Sequence, residues 1–386
     1  MIEHSARAVF EIGLVLLLAA LAGWLARRLG LPAILGYILA GLAISPFTPG
    51  YVADREQIQL LADIGVVLLL FEVGIELDVD RLRHEQGGIA WASPVQTLVT
   101  MAVAGAALLA VGLPPLGALL IGLSLALSSG VVVVNVTRSR RRTTDRATEE
   151  ALIGWSALQD LTGVAIAAVL VGLVGAGARP IGLVLVSLVA FGIVAIASAL
   201  VLPRLLRSIR DEHDLFLIVS VATGLVIAGV GSLVFGVPLA LASFVAGLAV
   251  SEGPDTAEAR RRLRPFRDVF AVLFFVAVGT LIDPGGLAAA VPWIALMVAV
   301  VVVGKSAVVF VLARVARLRA RPAQLAIGLG QAGEFAYVLG TIALGAALID
   351  RGVFEAVLAT IVVTIAISTI AVRLIGRPPD EEAAAA

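Results

Sequence analysis

The chain has 386 residues, 60% of them hydrophobic and 15% charged, with a mean hydropathy of +1.06. Twenty-eight basic residues balance 28 acidic ones, cysteine is absent and histidine occurs three times. Such a composition belongs to a polytopic helical membrane protein. It excludes disulfides, thiolate metal centres and thiol redox chemistry, and no basic patch interleaved with aromatics points to nucleic acid.

Apolar runs and breakers predict thirteen spans. The first, near 8–29, follows Glu3, His4 and Arg7 and is itself followed by Arg27 and Arg28. A cleaved signal peptide needs the opposite charge order, so an ordinary first span is expected. Further spans fall near 31–45, 56–78, 88–112, 116–138, 149–174 and 180–208. The series continues near 214–233, 236–252, 266–283, 288–315, 322–348 and 352–376, leaving a short tail at 377–386. Alternate connections collect 23 of the 27 arginines. The positive-inside rule then places the amino terminus outside and the carboxyl terminus in the cytoplasm.

The chain contains itself twice. GLPAILGYILAGLAIS at 30–45 matches GVPLALASFVAGLAVS at 236–251. DIGVVLLLFEVGIELD at 63–78 pairs with DVFAVLFFVAVGTLID at 268–283, and IGLSLALSSG at 121–130 with IGLGQAGEFA at 327–336. Three matches in one order at nearly one offset are not compositional noise. The second copy starts seven spans after the first, and an odd number inverts it across the bilayer. Inverted repeats, about 8–174 and 214–376 around a connector helix at 180–208, are the mark of secondary transporters. A duplicated scaffold without transport is the plainer alternative.

Two matched segments are poor continuous helices. Ser128, Ser129 and Gly130 interrupt one span, and Gly328, Gly330, Gln331, Gly333 and Glu334 interrupt its partner. Irregular backbone at membrane depth is tolerated only where it lines a cavity or is buried in protein. Two discontinuous helices crossing at their breaks are expected, with free backbone groups as part of an ion site. Glycines that only permit close packing are the bland reading for either segment alone.

Charge at depth narrows the site. Lys305 is the only lysine beside 27 arginines and lies among apolar residues in VAVVVVGKSAVVFVL. An intramembrane lysine defaults to function with a named partner. Asp160, in WSALQDLTGVAIAAV, is the best partner: at roughly 1.5 Å per residue both residues sit about 15 Å deep. A purely structural ion pair is the alternative. A lone buried carboxylate holds either a proton or an alkali cation, so competition for Asp160 gives antiport. Lys305 would stand in for the cation, and Gln159 would add a neutral carbonyl oxygen. One titrating carboxylate implies one proton per monovalent cation, hence electroneutral exchange. Glu72 would line the ion path or pair with a backbone amide, while Glu76 and Asp78 read as a solvated span end. Glu334 would compensate a half-helix terminus, pair with an arginine or contact the ion.

Together LPAILGYILAGLAISP, LLLFEVGIELD, LALSSG, ALQDLTG, FFVAVGTLID and GQAGEFAYVL resemble the membrane domain of the cation:proton antiporter 2 family over residues 8–376. Gln159-Asp160 and GQAGEF are most similar to its Kef-type potassium-efflux branch. The resemblance implies Asp160 as the proton- and cation-binding carboxylate, transiently holding Na+ or K+, and Lys305 as its partner. It also implies a homodimer in a bacterial inner membrane, with a dimerisation domain and a core that shifts like an elevator. Gly130 departs from the family's usual threonine after the serine pair. No G-x-G-x-x-G follows a strand in this chain, so the branch's gating by glutathione or nucleotide is not carried over. No cofactor and no enzyme constellation are expected. The rival readings are a sodium-coupled organic-anion symporter on the same frame, a cation channel and a non-transporting membrane sensor.

Overall fold

The computed structural model describes residues 2–48, 64–65, 67–68, 70–71, 74–75, 87–130, 132–133, 144–175, 181–209, 212–237, 239–251 and 256–375. Among them every regular element is helical. In chain order these are α1 (Ile2–Arg28), α2 (Ala33–Ala43), α3 (Gly87–Ala110), α4 (Pro115–Ala126), α5 (Arg146–Gly175), α6 (Ile181–Ser208) and α7 (His213–Leu233). There follow α8 (Leu239–Ser251), α9 (Thr256–Thr280), α10 (Leu287–Ala299), a π-helical turn (Val300–Lys305) and α11 (Ser306–Val315). The chain closes with α12 (Pro322–Leu329), α13 (Phe335–Gly345) and α14 (Arg351–Leu374). Six of the described helices are long and apolar enough to cross a membrane, and several shorter apolar ones lie between them.

The expected spans and the helices differ where hydropathy and helix propensity differ. α1 starts at Ile2 rather than near 8, and α9 at Thr256 rather than near 266. Alanine, arginine and glutamate are good helix formers, so a helix can run on past the apolar window. The span expected at 288–315 is not one regular helix, because a π turn ending at Lys305 separates α10 from α11.

Two compact units divide the chain, and neither follows the sequence repeat. One comprises 1–26, 36–79 and 168–282, the other 27–35, 80–167 and 283–386. In the first, Val15 and Ala19 of α1, Ala40 of α2 and Leu273, Val276 and Ala277 of α9 share one buried cluster. Matched glycines pack reciprocally there. A Cβ on Gly41 would lie 2.9 Å from the Gly279 Cα, and one on Gly247 would lie 3.0 Å from the Gly74 Cα. Each repeat thus lends a glycine from its first motif to a glycine from the other's second motif. Only glycine permits such close backbone approach.

In the second unit, Ile89 and Ala92 of α3, Leu152 and Trp155 of α5, Val309 and Ala313 of α11 and Leu325 and Leu329 of α12 form the core. Apolar packing is continuous here, so the exceptions to it mark the site. Hydroxyls within spans mostly bond back to their own helix. Thr97, Thr162, Ser198, Ser220, Ser243 and Thr341 each donate to the carbonyl four residues earlier. That habit satisfies a polar group where no water is available.

Candidate functional site

Both expected breaks are present, and both lie in the second unit. α4 stops at Ala126, Leu127 turns extended (φ −88°, ψ 144°), and helix resumes at Gly130. α12 stops at Leu329, Gly330 leaves helical geometry (φ −75°, ψ 43°), and α13 begins at Phe335. The breaks bind each other. The Gly333 amide donates to the Leu127 carbonyl (3.2 Å) and the Ser128 hydroxyl to the Leu329 carbonyl (2.8 Å). Gln331 clasps Ser129 twice: its Oε1 accepts from the Ser129 amide (3.1 Å) and its Nε2 donates to the Ser129 carbonyl (3.2 Å). From α14, Thr364 Oγ1 accepts from the Ala332 amide (3.1 Å). Backbone groups freed by unwinding thus find partners inside the protein, as a dry environment demands.

Gly333 sits at the tightest point of the crossing. A Cβ there would lie 2.7 Å from the Ser128 carbonyl carbon and 2.8 Å from the Ser129 amide nitrogen. Both are backbone atoms and cannot swing aside. Gly333→Ala should therefore destabilise the protein by about 1–3 kcal/mol, seen as a lower melting temperature in detergent; an unchanged melt would show that the crossing is looser than this.

Gln159 is tied to the first break. Its Oε1 accepts from the Ser128 amide (3.2 Å), and its Nε2 donates to the Ala126 carbonyl (3.3 Å) and to Gln96 Oε1. The oxygen expected to serve a cation accepts this backbone hydrogen bond with one of its two lone pairs. Gln96, on α3, was not foreseen. Its Oε1 also accepts from the Trp155 indole (3.1 Å), and its Nε2 donates to Thr100 Oγ1 (3.1 Å) and the Ala126 carbonyl (3.3 Å). An indole N–H can only donate. It fixes the Gln96 amide, which fixes Gln159, which presents an acceptor to Ser128. Gln96 and Gln159 are both fully buried, so this relay of polarity holds the first break in shape.

Lys305 is also fully buried, at the end of the π turn. Its Nζ donates to the Gln331 carbonyl (2.8 Å), a backbone group of the second break. The expected direct pairing with Asp160 is thus corrected: among the described residues no ion pair within 4.0 Å joins them. The physical reason is competition, since the break leaves a carbonyl closer to hand. π turns are rare and recur at functional sites, and this one delivers the chain's sole lysine to the crossing. Lys305 and Asp160 nonetheless border the same crossing, one through the Gln331 carbonyl and the other through Gly130.

Asp160 and Ser156 lie one turn apart on the same face of α5, and both are buried, 2% and 3% exposed. Asp160 Oδ1 and Ser156 Oγ have no hydrogen-bond partner. Ser156, like Thr360 and Thr369 of α14, makes no bond back to its own helix. Both residues face Gly130: a Cβ on that glycine would lie 3.7 Å from Ser156 Oγ and 4.0 Å from Asp160 Oδ2. Glu334, 6% exposed, sits beside Ser129 and leaves its Oε2 unpartnered. Unsatisfied buried oxygens are costly and need an explanation. Among the described residues no three His, Cys, Asp or Glu side chains gather.

The structure therefore brings Ser128, Ser129, Gly130, Gln159, Asp160, Lys305, Gln331, Gly333 and Glu334 to one crossing. Glu72 lies outside the described residues. Ser156 was readable as a polar residue four positions before Asp160 on the same helical face.

Residues 16–377 match the family described as "Sodium/hydrogen exchanger, transmembrane". The chain is 30% identical over 388 residues to "Putative cation/proton antiporter YbaL" of Escherichia coli (strain K12), covering 97% of this chain and 69% of that protein. The sodium proton antiporter MjNhaP1 from Methanocaldococcus jannaschii superposes with a TM-score of 0.75 at 18% identity, covering 96% of this chain and 98% of that one. At that identity the likeness concerns the fold. The chain is an integral membrane protein and belongs to the transmembrane sodium/hydrogen exchanger family of cation/proton antiporters.

Proposed function

We propose that this protein exchanges a monovalent cation, Na+ or K+, for protons by alternating access, with Asp160 as the shared site. One observation carries the reading: a buried carboxylate with an unpartnered oxygen, beside an unpartnered hydroxyl, where two broken helices cross. Protonated, Asp160 is neutral; deprotonated, it takes the cation, with Ser156 Oγ as a second oxygen. Either occupant leaves the site with the same net charge, so one cation replaces one proton and the cycle is electroneutral. The empty carboxylate is a bare charge at depth, costly by several kcal/mol. That cost disfavours crossing without a passenger and couples the two fluxes.

Lys305 donates to the second break at the crossing, while Gln159 and Gln331 hold the breaks in place. Glu334, and Glu72 by its position in the sequence, would line the route. The arginine distribution supports an amino terminus outside and a carboxyl terminus in the cytoplasm of a bacterial inner membrane. The inverted repeats and a homodimer belong to the same reading. The test is dissipation of an imposed pH gradient in proteoliposomes on adding Na+, K+ or Li+. Exchange with at least one ion and no accompanying current is the expected result; a current during turnover would contradict electroneutrality, and no exchange with any ion would sink the reading.

A further inference from the structure

Among the described residues nothing requires glycine at position 130. The positive-φ glycines among the described residues are Gly30, Gly112 and Gly236, so Gly130 adopts a backbone open to any residue. It is also the first residue of the resumed helix. Close packing against the described residues does not demand it either. The other glycines near the crossing would clash through a Cβ: Gly333 with the Ser128 carbonyl carbon at 2.7 Å, Gly328 with Leu152 Cδ2 at 2.7 Å, and Gly163 with Leu127 Cδ1 at 2.6 Å. At Gly130 the nearest described atoms are Ser156 Oγ at 3.7 Å and Asp160 Oδ2 at 4.0 Å, ordinary contact distances. Gly130 is half-buried while Ser128 and Ser129 beside it are buried.

The space left by the missing side chain is therefore bordered by two buried polar groups, and each has an oxygen without a partner. Filling that space with an apolar residue would leave those oxygens facing carbon. A cation with a large coordination shell, or one that keeps a bound water, fills it and satisfies them. A water needs two or more polar partners and about 30 Å³, close to what one small side chain would have occupied.

We propose that Gly130 is the size-selectivity position of the Asp160 site, and that its missing side chain admits the larger alkali cations, K+ and Rb+, in preference to Li+ and Na+. This rests on the exchange reading above and names its substrate class. A hydroxyl carried on a Cβ at position 130 comes within hydrogen-bonding reach of Ser156 and Asp160. It would shrink the site and hold Asp160 in a geometry fit for a smaller ion.

The experiment compares wild type, Gly130→Ala and Gly130→Ser in proteoliposomes, reading half-saturating concentrations of Li+, Na+, K+ and Rb+ for pH-gradient dissipation. Wild type is expected to be half-saturated at lower K+ and Rb+ than Li+ and Na+. In Gly130→Ser the ratio of K+ to Na+ half-saturation should rise about tenfold, the scale on which one added group discriminates in a fitted pocket. Gly130→Ala should move the ratio the same way by less, because it fills space without adding an oxygen. An unchanged ion order in both variants overturns the proposal, as does equal loss of exchange with all four ions. Failure of both variants to fold, judged by size exclusion and melting temperature, overturns it too, since it would show that the room beside Gly130 does not exist. Failure of the exchange reading is distinct: wild type would then move protons with none of the four ions.

Discussion

Asp160→Asn should reduce cation-driven proton exchange to below about 1% of wild type, a loss of about 2.7 kcal/mol or more in the rate-determining barrier. Asparagine matches aspartate in shape but can neither release a proton nor carry the charge that holds an alkali ion. The fold should survive, because Asp160 Oδ1 makes no hydrogen bond that the amide would break. The measurement pairs gradient dissipation with thermal melts in and out of cation. A ligand at a hundred times its dissociation constant stabilises the folded state by about 2.7 kcal/mol, so the wild-type melt should rise with salt and the variant's should not. In the wild type, proton and cation compete for one carboxylate. Where protons occupy the site, lowering the pH by one unit should therefore weaken the apparent cation affinity by about tenfold. Exchange persisting in Asp160→Asn, or a salt-dependent melt that survives the substitution, would place the shared site elsewhere.

How much of this site could be read from the chain depended on what kind of signal each residue carries. The breaks were legible because Ser128, Ser129 and Gly130, and the glycines around Gln331, are poor helix residues at depths where apolar helix is the rule. The internal duplication was legible because its glycines are required by contact. Gly41 against Gly279 and Gly247 against Gly74 tolerate no side chain. Asp160 and Lys305 stood out by charge. What failed was their pairing. Depth along a span fixes the height of a residue but not the direction it faces, and the Gln331 carbonyl took the ammonium first. Gln96 escaped notice because a neutral amide in an apolar span carries little signal, although it sets the amide orientation of Gln159. The π turn before Lys305 was equally silent, since Val300 to Val303 suit a regular apolar helix as well. The apolar spans began where expected, but the helices begin earlier, at Ile2 and Thr256, because charge ends an apolar run without ending a helix.

Lys305→Met separates the two things that a buried lysine can do at this crossing. Methionine fills a similar volume but leaves the Gln331 carbonyl without its donor and the neighbouring carboxylates without a fixed positive charge. Loss of a charged hydrogen bond of this kind costs about 1.5–3 kcal/mol, and the melting temperature in cation-free buffer should fall accordingly. If the lost positive charge is what matters, a bound alkali ion replaces it, and Na+ or K+ should raise the variant's melt more than the wild type's. Neutralising the acid as well should then help. Asp160→Asn combined with Lys305→Met would be more stable than the two single losses added together, by a coupling of about 1–3 kcal/mol. If the lysine only props up the second break, salt would leave the gap between variant and wild type unchanged and the two losses would add. The coupling therefore measures whether the ammonium and the carboxylate act on one another across the site, although they share no direct ion pair. A positive value would mean that Lys305 makes the cation-free carboxylate tolerable for part of the cycle, holding its charge in check until a proton or an alkali ion arrives.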